Sequence, residues 1–287
     1  MAVNDKTRVL HIMATTLKRS GITSHVTIIA KAKVPIIKFV SAYGRLQVDI
    51  SINQANGLIS GDIIAGFLKQ MIPSDQEKES KALRSLIMIT KAFLRQRKLN
   101  EVYTGGLGSY SVVCLAVSFL QMHPKIRRGE IDPEKNLGVL VLEFFELYGN
   151  RFNYDNVGIS LREGGTYFNK RERGWNVDYK KNTLSIEDPA EPCKSLHCLC
   201  GLCLQFFCAA NDISSGSYHF HKVKTAFAGA YNLLTMTSYH RVGILSSRHQ
   251  GTGFRLRQRY DPEDLSVLST VMGVTQEVCL SLIYRLT

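Results

Sequence analysis

A chain of 287 residues with 45% hydrophobic and 21% charged side chains has the balance of a folded protein of one large or two ordinary domains, which excludes a disordered or membrane-spanning chain. Lys and Arg number 36 against 24 Asp and Glu; a net charge of +12 draws in anions, with nucleic acid, nucleotides and acidic surfaces as candidates. The N-terminus MAVNDKTRVL carries charge where a secretory leader is apolar, and no run reaches spanning length, so a cytoplasmic or nuclear protein that meets no membrane is expected.

From Asn4 to Arg19, Val9, Leu10, Ile12, Met13 and Leu17 recur near one helical face and Gly21 follows as a stop, which predicts a helix. Two β-rich runs come next, Val26 to Val40 and Arg45 to Ile52, parted at Tyr43-Gly44. In the second, Leu46, Val48, Ile50 and Ile52 alternate with Gln47, Asp49 and Ser51, so Asp49 is expected on the polar face of a strand. From Asn56 the pattern turns helical, over about 58–72, 81–95, 110–122 and 137–148. The helix over 81–95 carries Leu83, Leu86, Ile87, Thr90 and Leu94 as an inward stripe, with Arg84, Lys91, Arg95 and Lys98 on another face. The next helix starts from Tyr103-Thr104-Gly105-Gly106-Leu107-Gly108-Ser109-Tyr110, where glycines permit a tight turn and Ser109 is expected as the N-cap. Val157 to Phe168 predicts a hairpin turning at Gly164-Gly165, and the spacing of Val223, Phe227, Ala230 and Leu234 predicts a helix over 219–236. The tail from His240 to Tyr260, with Arg241, Arg248, Arg255, Arg257 and Arg259 among Gly and Ser, reads as a flexible basic segment.

Taken residue by residue, these features leave the chemistry open. A lone carboxylate such as Asp49 is most often a solvated surface group, and two-metal chemistry needs several carboxylates around one point, yet the chain has no Asp-x-Asp. Lys91 and Arg95, one turn apart, suit either a triphosphate or a solvated cationic face. The glycine turn matches neither G-x-x-x-x-G-K-[ST] nor G-x-G-x-x-G.

In combination, several segments resemble a known family. They are Val34-Pro35-Ile36-Ile37-Lys38-Phe39, Val48-Asp49-Ile50-Ser51-Ile52-Asn53, Leu99 to Tyr110, Leu142-Glu143-Phe144-Phe145-Glu146-Leu147-Tyr148-Gly149, Gly158 to Arg162 and Ser185-Ile186-Glu187-Asp188-Pro189. Over about residues 4–278 the chain is similar to the TRAMP-type poly(A) RNA polymerases of the DNA polymerase beta-like nucleotidyltransferase superfamily, above all to fungal members. The resemblance implies an α+β fold: a partial nucleotidyltransferase palm over 1–54, a mostly helical central domain carrying the PAP-associated region over 55–238, and a basic tail over 239–287. It implies template-independent transfer of AMP from ATP to RNA 3′ ends, with Mg²⁺ or Mn²⁺ as cofactor. The setting would be nuclear RNA surveillance ahead of exosome decay, in the nucleus or nucleolus, beside a zinc-knuckle RNA-binding protein and an RNA helicase.

Residue by residue, Asp49 matches the third carboxylate of the palm, a metal ligand suited to activate the RNA 3′-hydroxyl. Asn56 and Gly57 match the Asn-Gly that reads the ribose, and Lys91 matches the triphosphate lysine, with Arg95 as a helper. Ser109 matches a phosphate contact, Tyr110 the aromatic platform for the base, and Asn211-Asp212 the nucleotide-recognition loop. The basic segments around Lys170 to Arg173 and Arg241 to Arg259 are expected to hold RNA through its phosphates.

The chain departs from the family in two main ways. The glycine-serine motif and the Asp-x-Asp pair are absent, so the polypeptide is read as N-terminally truncated and expected to be inactive alone; the alternative is a non-catalytic RNA- or protein-binding scaffold built on the central domain. Cys193 to Ala210 looks inserted and holds five of the seven cysteines. A zinc site and a buried apolar loop are possible readings, but Cys-x-Cys-x-x-Cys lacks paired C-x₂-C knuckles. A retained intron is preferred: Cys193-Lys194-Ser195 can be encoded with the donor GTAAGT, Phe206 to Ala210 with a pyrimidine tract and acceptor CAG, and splicing in phase would leave Pro-Ser-Asn-Asp. The end from Val278-Cys279 to Thr287 departs in a similar way, and Ser215 stands where relatives often carry Arg.

Overall fold

Leu10 and Ala14, one turn apart, form the buried face of α1 (Lys6–Arg19), which brings Leu10, Met13 and Leu17 onto Ile37 and Phe39 of an antiparallel sheet. The computed structural model describes residues 6–30, 34–52, 56–71, 79–175, 183–190 and 211–249. They fall into two compact units, Met1–Asp62 and Ile63–Thr287.

In the first unit the sheet runs β1 (Val26–Ile29), β2 (Ile36–Val40) and β3 (Gln47–Ser51) in that order. The sequence run Val26 to Val40 is therefore two antiparallel strands, with Val26 opposite Phe39 and Ile29 opposite Ile36. Pro35, which has no amide to give a ladder, stands just before β2. In β3 the alternation holds: Val48 and Ile50 pack toward Ile37, while Gln47, Asp49 and Ser51 are exposed.

The division between units falls inside α2 (Asn56–Gln70), whose later residues Ile64, Phe67 and Leu68 pack on the core of the second unit. That core is helical. In α3 (Lys81–Gln96) the predicted stripe is buried, and Phe93 joins it. Ser80 caps α3 by accepting from Leu83 N–H at 3.2 Å, and Glu134 accepts from Ser80 Oγ–H at 2.7 Å. α4 (Ser109–Met122) is buried from Ser111 through Leu120, so it is the central helix. After α5 (Pro124–Arg127) and α6 (Leu137–Glu146), a wide turn over Leu147–Arg151 brings Gly149 against Ala228; a Cβ at Gly149 would lie 2.5 Å from Ala228 N, so only glycine fits. Ala228 lies on α7 (Phe220–His249), and Phe93, Phe144, Phe145 and Phe227 cluster where α3, α6 and α7 meet, with ring centroids 5.0–6.0 Å apart.

The hairpin β4 (Val157–Ser160) and β5 (Thr166–Asn169) turns through Gly164 and Gly165, both at positive φ, as the sequence predicts. The helix predicted to stop near 236 continues to His249, which corrects the reading of 240–249 as flexible: that stretch has one glycine and no proline to break it. The cysteine-rich stretch 193–210 and the tail from 250 on lie outside the described residues. No described helix is long and apolar enough to cross a membrane.

Candidate nucleotide site

Three segments distant in sequence meet in the second unit. Ile159 of β4 bridges in parallel to Ile186, and Glu187 bridges antiparallel to Asp212. Asp188 N–H donates to Asn211 O at 3.0 Å, and Ile213 N–H to Ile186 O at 3.1 Å. Asp212 is buried and acts as the clasp: its Oδ1 accepts from Ile186 N–H at 3.1 Å and Ser214 N–H at 2.9 Å, and Ser214 Oγ lies 2.5 Å away. Asn211, half-buried beside it, keeps its backbone on Asp188.

Tyr110 joins this cluster from the first turn of α4. Its phenol donates to Asp188 Oδ1 at 3.3 Å, and Ala190 N–H reaches the same oxygen at 2.9 Å. The ring is half-buried against the core. One turn further, the Cys114 thiol is held well above the usual thiol range, first by burial and then by the Asp188 carboxylate, so it stays protonated and inert. Ser109 is exposed at the first helical position, and Gly108 is the N-cap, which corrects the expected cap. A Cβ at residue 108 would meet Val102 Cγ2 at 2.8 Å, so a larger residue at the cap would require Val102 to shift. The first rung of the α4 ladder is Val112 N–H to Gly108 O, 3.1 Å, so by helix geometry the amides before it have no acceptor within the helix.

The glycine turn ahead of α4 is fastened to the loop after Asp212. Gly105 has φ +81°, and His219 N–H donates to Gly105 O at 2.9 Å. Gly106 runs so close to Leu99 that a Cβ would stand 2.4 Å from its carbonyl oxygen. The turn that delivers Ser109 and Tyr110 and the loop that delivers Asn211 and Asp212 therefore form one hydrogen-bonded body.

Glu187 is the residue that sequence reasoning missed. Only 2% exposed, its carboxylate faces Arg173 Nη1 at 3.3 Å and Arg162 Nη1 at 3.9 Å, and the Arg173 guanidinium lies over the Phe168 ring at 4.0 Å. Its one sequence signal is its place between Ile186 and Asp188 in the quoted motif. Lys170, expected to hold RNA, is instead buried: its Nζ donates to Tyr154 O at 2.5 Å and Thr183 O at 2.6 Å. On α3, Lys91 is half-buried and Arg95 exposed, and among the described residues neither has an ion pair.

In the first unit, Asp49 projects from the open face of β3, opposite Lys38 of β2, with Lys38 Nζ 3.6 Å from its Oδ2. Asn56 opens α2 and Gly57 follows with open space around it; the Asn56 side chain is outside the described residues. Among the described residues no three His, Cys, Asp or Glu side chains converge as a metal would require. Asp49 by itself supplies one exposed carboxylate, so the described residues do not fit a divalent-metal site and no step is assigned through one.

The fold, a small β-sheet unit followed by a helical unit, is that of nucleotidyltransferase polymerase cores. Residues 2–69 match the central palm domain of mitochondrial-like poly(A) RNA polymerases, and residues 136–193 match the Cid1 family of poly A polymerases. The chain is 46% identical over 275 residues to poly(A) RNA polymerase CID14 of Cryptococcus neoformans, covering 95% of this chain and 32% of that protein. Among solved structures it resembles the polymerase core of TRAMP, an RNA surveillance complex, at 34% identity and TM-score 0.72, covering 94% of this chain and 72% of that one. It shares its fold, at 18% identity and TM-score 0.53, with the Cid1 poly(U) polymerase solved with Mg and 3′-dATP, covering 82% of this chain and 74% of that one. The chain belongs to the poly(A) RNA polymerase family of nucleotidyltransferases. It spans about a third of the length of the curated relatives it matches.

Proposed function

We propose that the protein serves RNA 3′-adenylyl transfer: the RNA 3′-oxygen attacks the α-phosphorus of ATP in line, pyrophosphate leaves, and no template is read. The observation that supports this reading best is the single body formed by Tyr110, Asp188 and Asn211. Tyr110 would stack on the adenine, with Asn211 at the base edge and Asp212 holding that loop in place. Ser109, Lys91 and Arg95 would take the triphosphate, Asn56 and Gly57 the ribose, and Asp49 the proton of the 3′-hydroxyl.

Asp49 is the one matched palm carboxylate, and the sequence contains no Asp-x-Asp, so the 287-residue chain is proposed to bind ATP without extending RNA by itself. The setting proposed for the whole protein is a nuclear, TRAMP-like assembly with a zinc-knuckle protein and an RNA helicase, feeding the exosome. The test incubates the purified chain with ATP, Mg²⁺ and an oligo(A) primer, and in parallel photocrosslinks 8-azido-ATP. The expected result is no extension and a crosslink on the peptide containing Tyr110. Robust tailing would overturn the inactivity, and RNA binding without any ATP crosslink would favour a non-catalytic scaffold.

A further inference from the structure

The loops that carry the proposed adenine site also carry large exposed side chains. Tyr103 is 82% exposed and Tyr218 59% exposed, with Val102 exposed in the same turn as Tyr103. Such side chains on a surface are usually loose, and that of Tyr218 is pinned. Tyr218 Oη donates to Tyr103 O at 3.0 Å, and the Tyr218 ring lies against Gly105, where a Cβ would come within 2.6 Å of it. The ring meets His219 edge-on with centroids 4.5 Å apart, and His219 Nδ1–H donates to Thr104 O at 3.0 Å. His221 continues the row, 5.8 Å from His219. For Tyr218 the cost of ordering the ring on binding is thus already met within the fold.

The charges on these two segments are mostly positive. Arg97 and Lys98 leave the end of α3 on the loop that leads to Tyr103, and His221 and Lys222 follow Tyr218 in the first turn of α7; all are exposed. Arg97 is itself held, its guanidinium 3.8 Å from the Phe93 ring centroid. Glu101 is the one acid between Arg97 and Tyr110. Exposed rings interleaved with cations match alternating bases and phosphates on one unpaired strand, whereas protein–protein interfaces are depleted in lysine, which stands here at Lys98 and Lys222.

We propose that this face is a platform for single-stranded RNA, on which bases stack against Tyr103 and Tyr218 while phosphates meet Arg97, Lys98 and Lys222. The proposal rests on the reading of the protein as an RNA 3′-adenylyltransferase, and it assigns RNA a track separate from the adenine site. Since every base has a ring face, the platform binds with little sequence preference.

The test is fluorescence anisotropy of the full 287-residue chain with a 5′-fluorescein A15 oligonucleotide. Tyr103→Ala and Tyr218→Ala each weaken binding about fivefold or more, and the double variant weakens it further, while Tyr218→Phe, which keeps the ring, binds close to the unsubstituted chain. Lys98→Gln and Lys222→Gln each lower the slope of log affinity against log salt by about one, which the tyrosine variants do not. Circular-dichroism melting and binding of a fluorescent ATP analogue check that fold and adenine site persist. If the unsubstituted chain binds A15 and the double tyrosine variant binds it equally, the platform is wrong while the transferase reading stands. If the unsubstituted chain binds no RNA, both are wrong.

Discussion

The phenol of Tyr110 donates to Oδ1 of Asp188 at 3.3 Å, a bond that spans 78 positions of sequence and ties the first turn of α4 to the Glu187-Asp188 segment. It separates two roles of the same side chain. Tyr110→Phe keeps a ring for the base and loses one internal hydrogen bond, a net ~1 kcal/mol of stability, so its affinity for a fluorescent ATP analogue is expected to stay close to that of the unsubstituted chain. Tyr110→Ala loses the ring as well, and its affinity is expected to fall at least tenfold. Equal losses in the two variants would show that the hydroxyl, not the ring, carries the contact.

Glu187 joins the hairpin to the same cluster, since its backbone bridges Asp212 while its buried carboxylate faces Arg173 and Arg162. Replacing Arg173 removes the nearer of the two guanidinium groups that face that carboxylate. A fully buried pair broken this way costs ~3–5 kcal/mol, and the partial exposure of Arg173 reduces this to about 1–3. Arg173→Met is therefore expected to lower the urea midpoint clearly. The double variant Arg173→Met/Glu187→Gln is expected to recover part of the loss, because no buried charge is then stranded. A double variant less stable than the sum of the single changes would contradict this pairing.

What the sequence disclosed follows from what periodicity encodes. The stripe Leu83, Leu86, Ile87, Thr90 and Leu94 is buried as its spacing requires, and Asp49 stands on the exposed face of β3. Period two specifies a face but not a neighbour, so the cross-strand partner Lys38 was not legible. Motif resemblance implies that the polar groups of Asn211-Asp212 face the base edge, and for Asp212 the structure corrects this: its carboxylate turns inward as a clasp. Charge counts are blind to burial, which is why Lys170 read as an RNA contact although backbone carbonyls hold it. Ser109 stands at the first helical position and not at the cap, a boundary that sequence signals specify only to within a residue or two.

Glycines in the turn before α4 differ from glycines elsewhere in what stands near them. At Gly106 a Cβ would be 2.4 Å from Leu99 O, a backbone atom that cannot rotate away; at Gly138, on α6, a Cβ would meet nothing within 4 Å. Gly106→Ala is expected to destabilise by roughly 1–3 kcal/mol, whereas Gly138→Ala is expected to be neutral or stabilising by up to ~1 kcal/mol. Chemical denaturation of the pair measures the contrast. A neutral Gly106→Ala would mean that the turn is free to shift, and with it the placement of Tyr110.

Asp188 N–H to Asn211 O, 3.0 Å, has a consequence for the stretch between them. The chain departs after Ala190 and returns at Asn211 next to its point of departure, so the residues between are not needed to bridge a gap. The family match over 136–193 also ends where the cysteine-rich stretch begins. If 193–210 is a translated intron, replacing it by the single serine that splicing would create leaves the cluster intact. Closing three residues instead of twenty lowers the loop-closure cost by ~1–2 kcal/mol. The shortened protein is expected to melt at the same or a higher temperature, to keep its affinity for the fluorescent ATP analogue, and to correspond to the mature transcript on sequencing. A lower melting temperature in the shortened protein, or a chelator that destabilises only the long form, would instead assign the cysteines to an apolar plug or a zinc site.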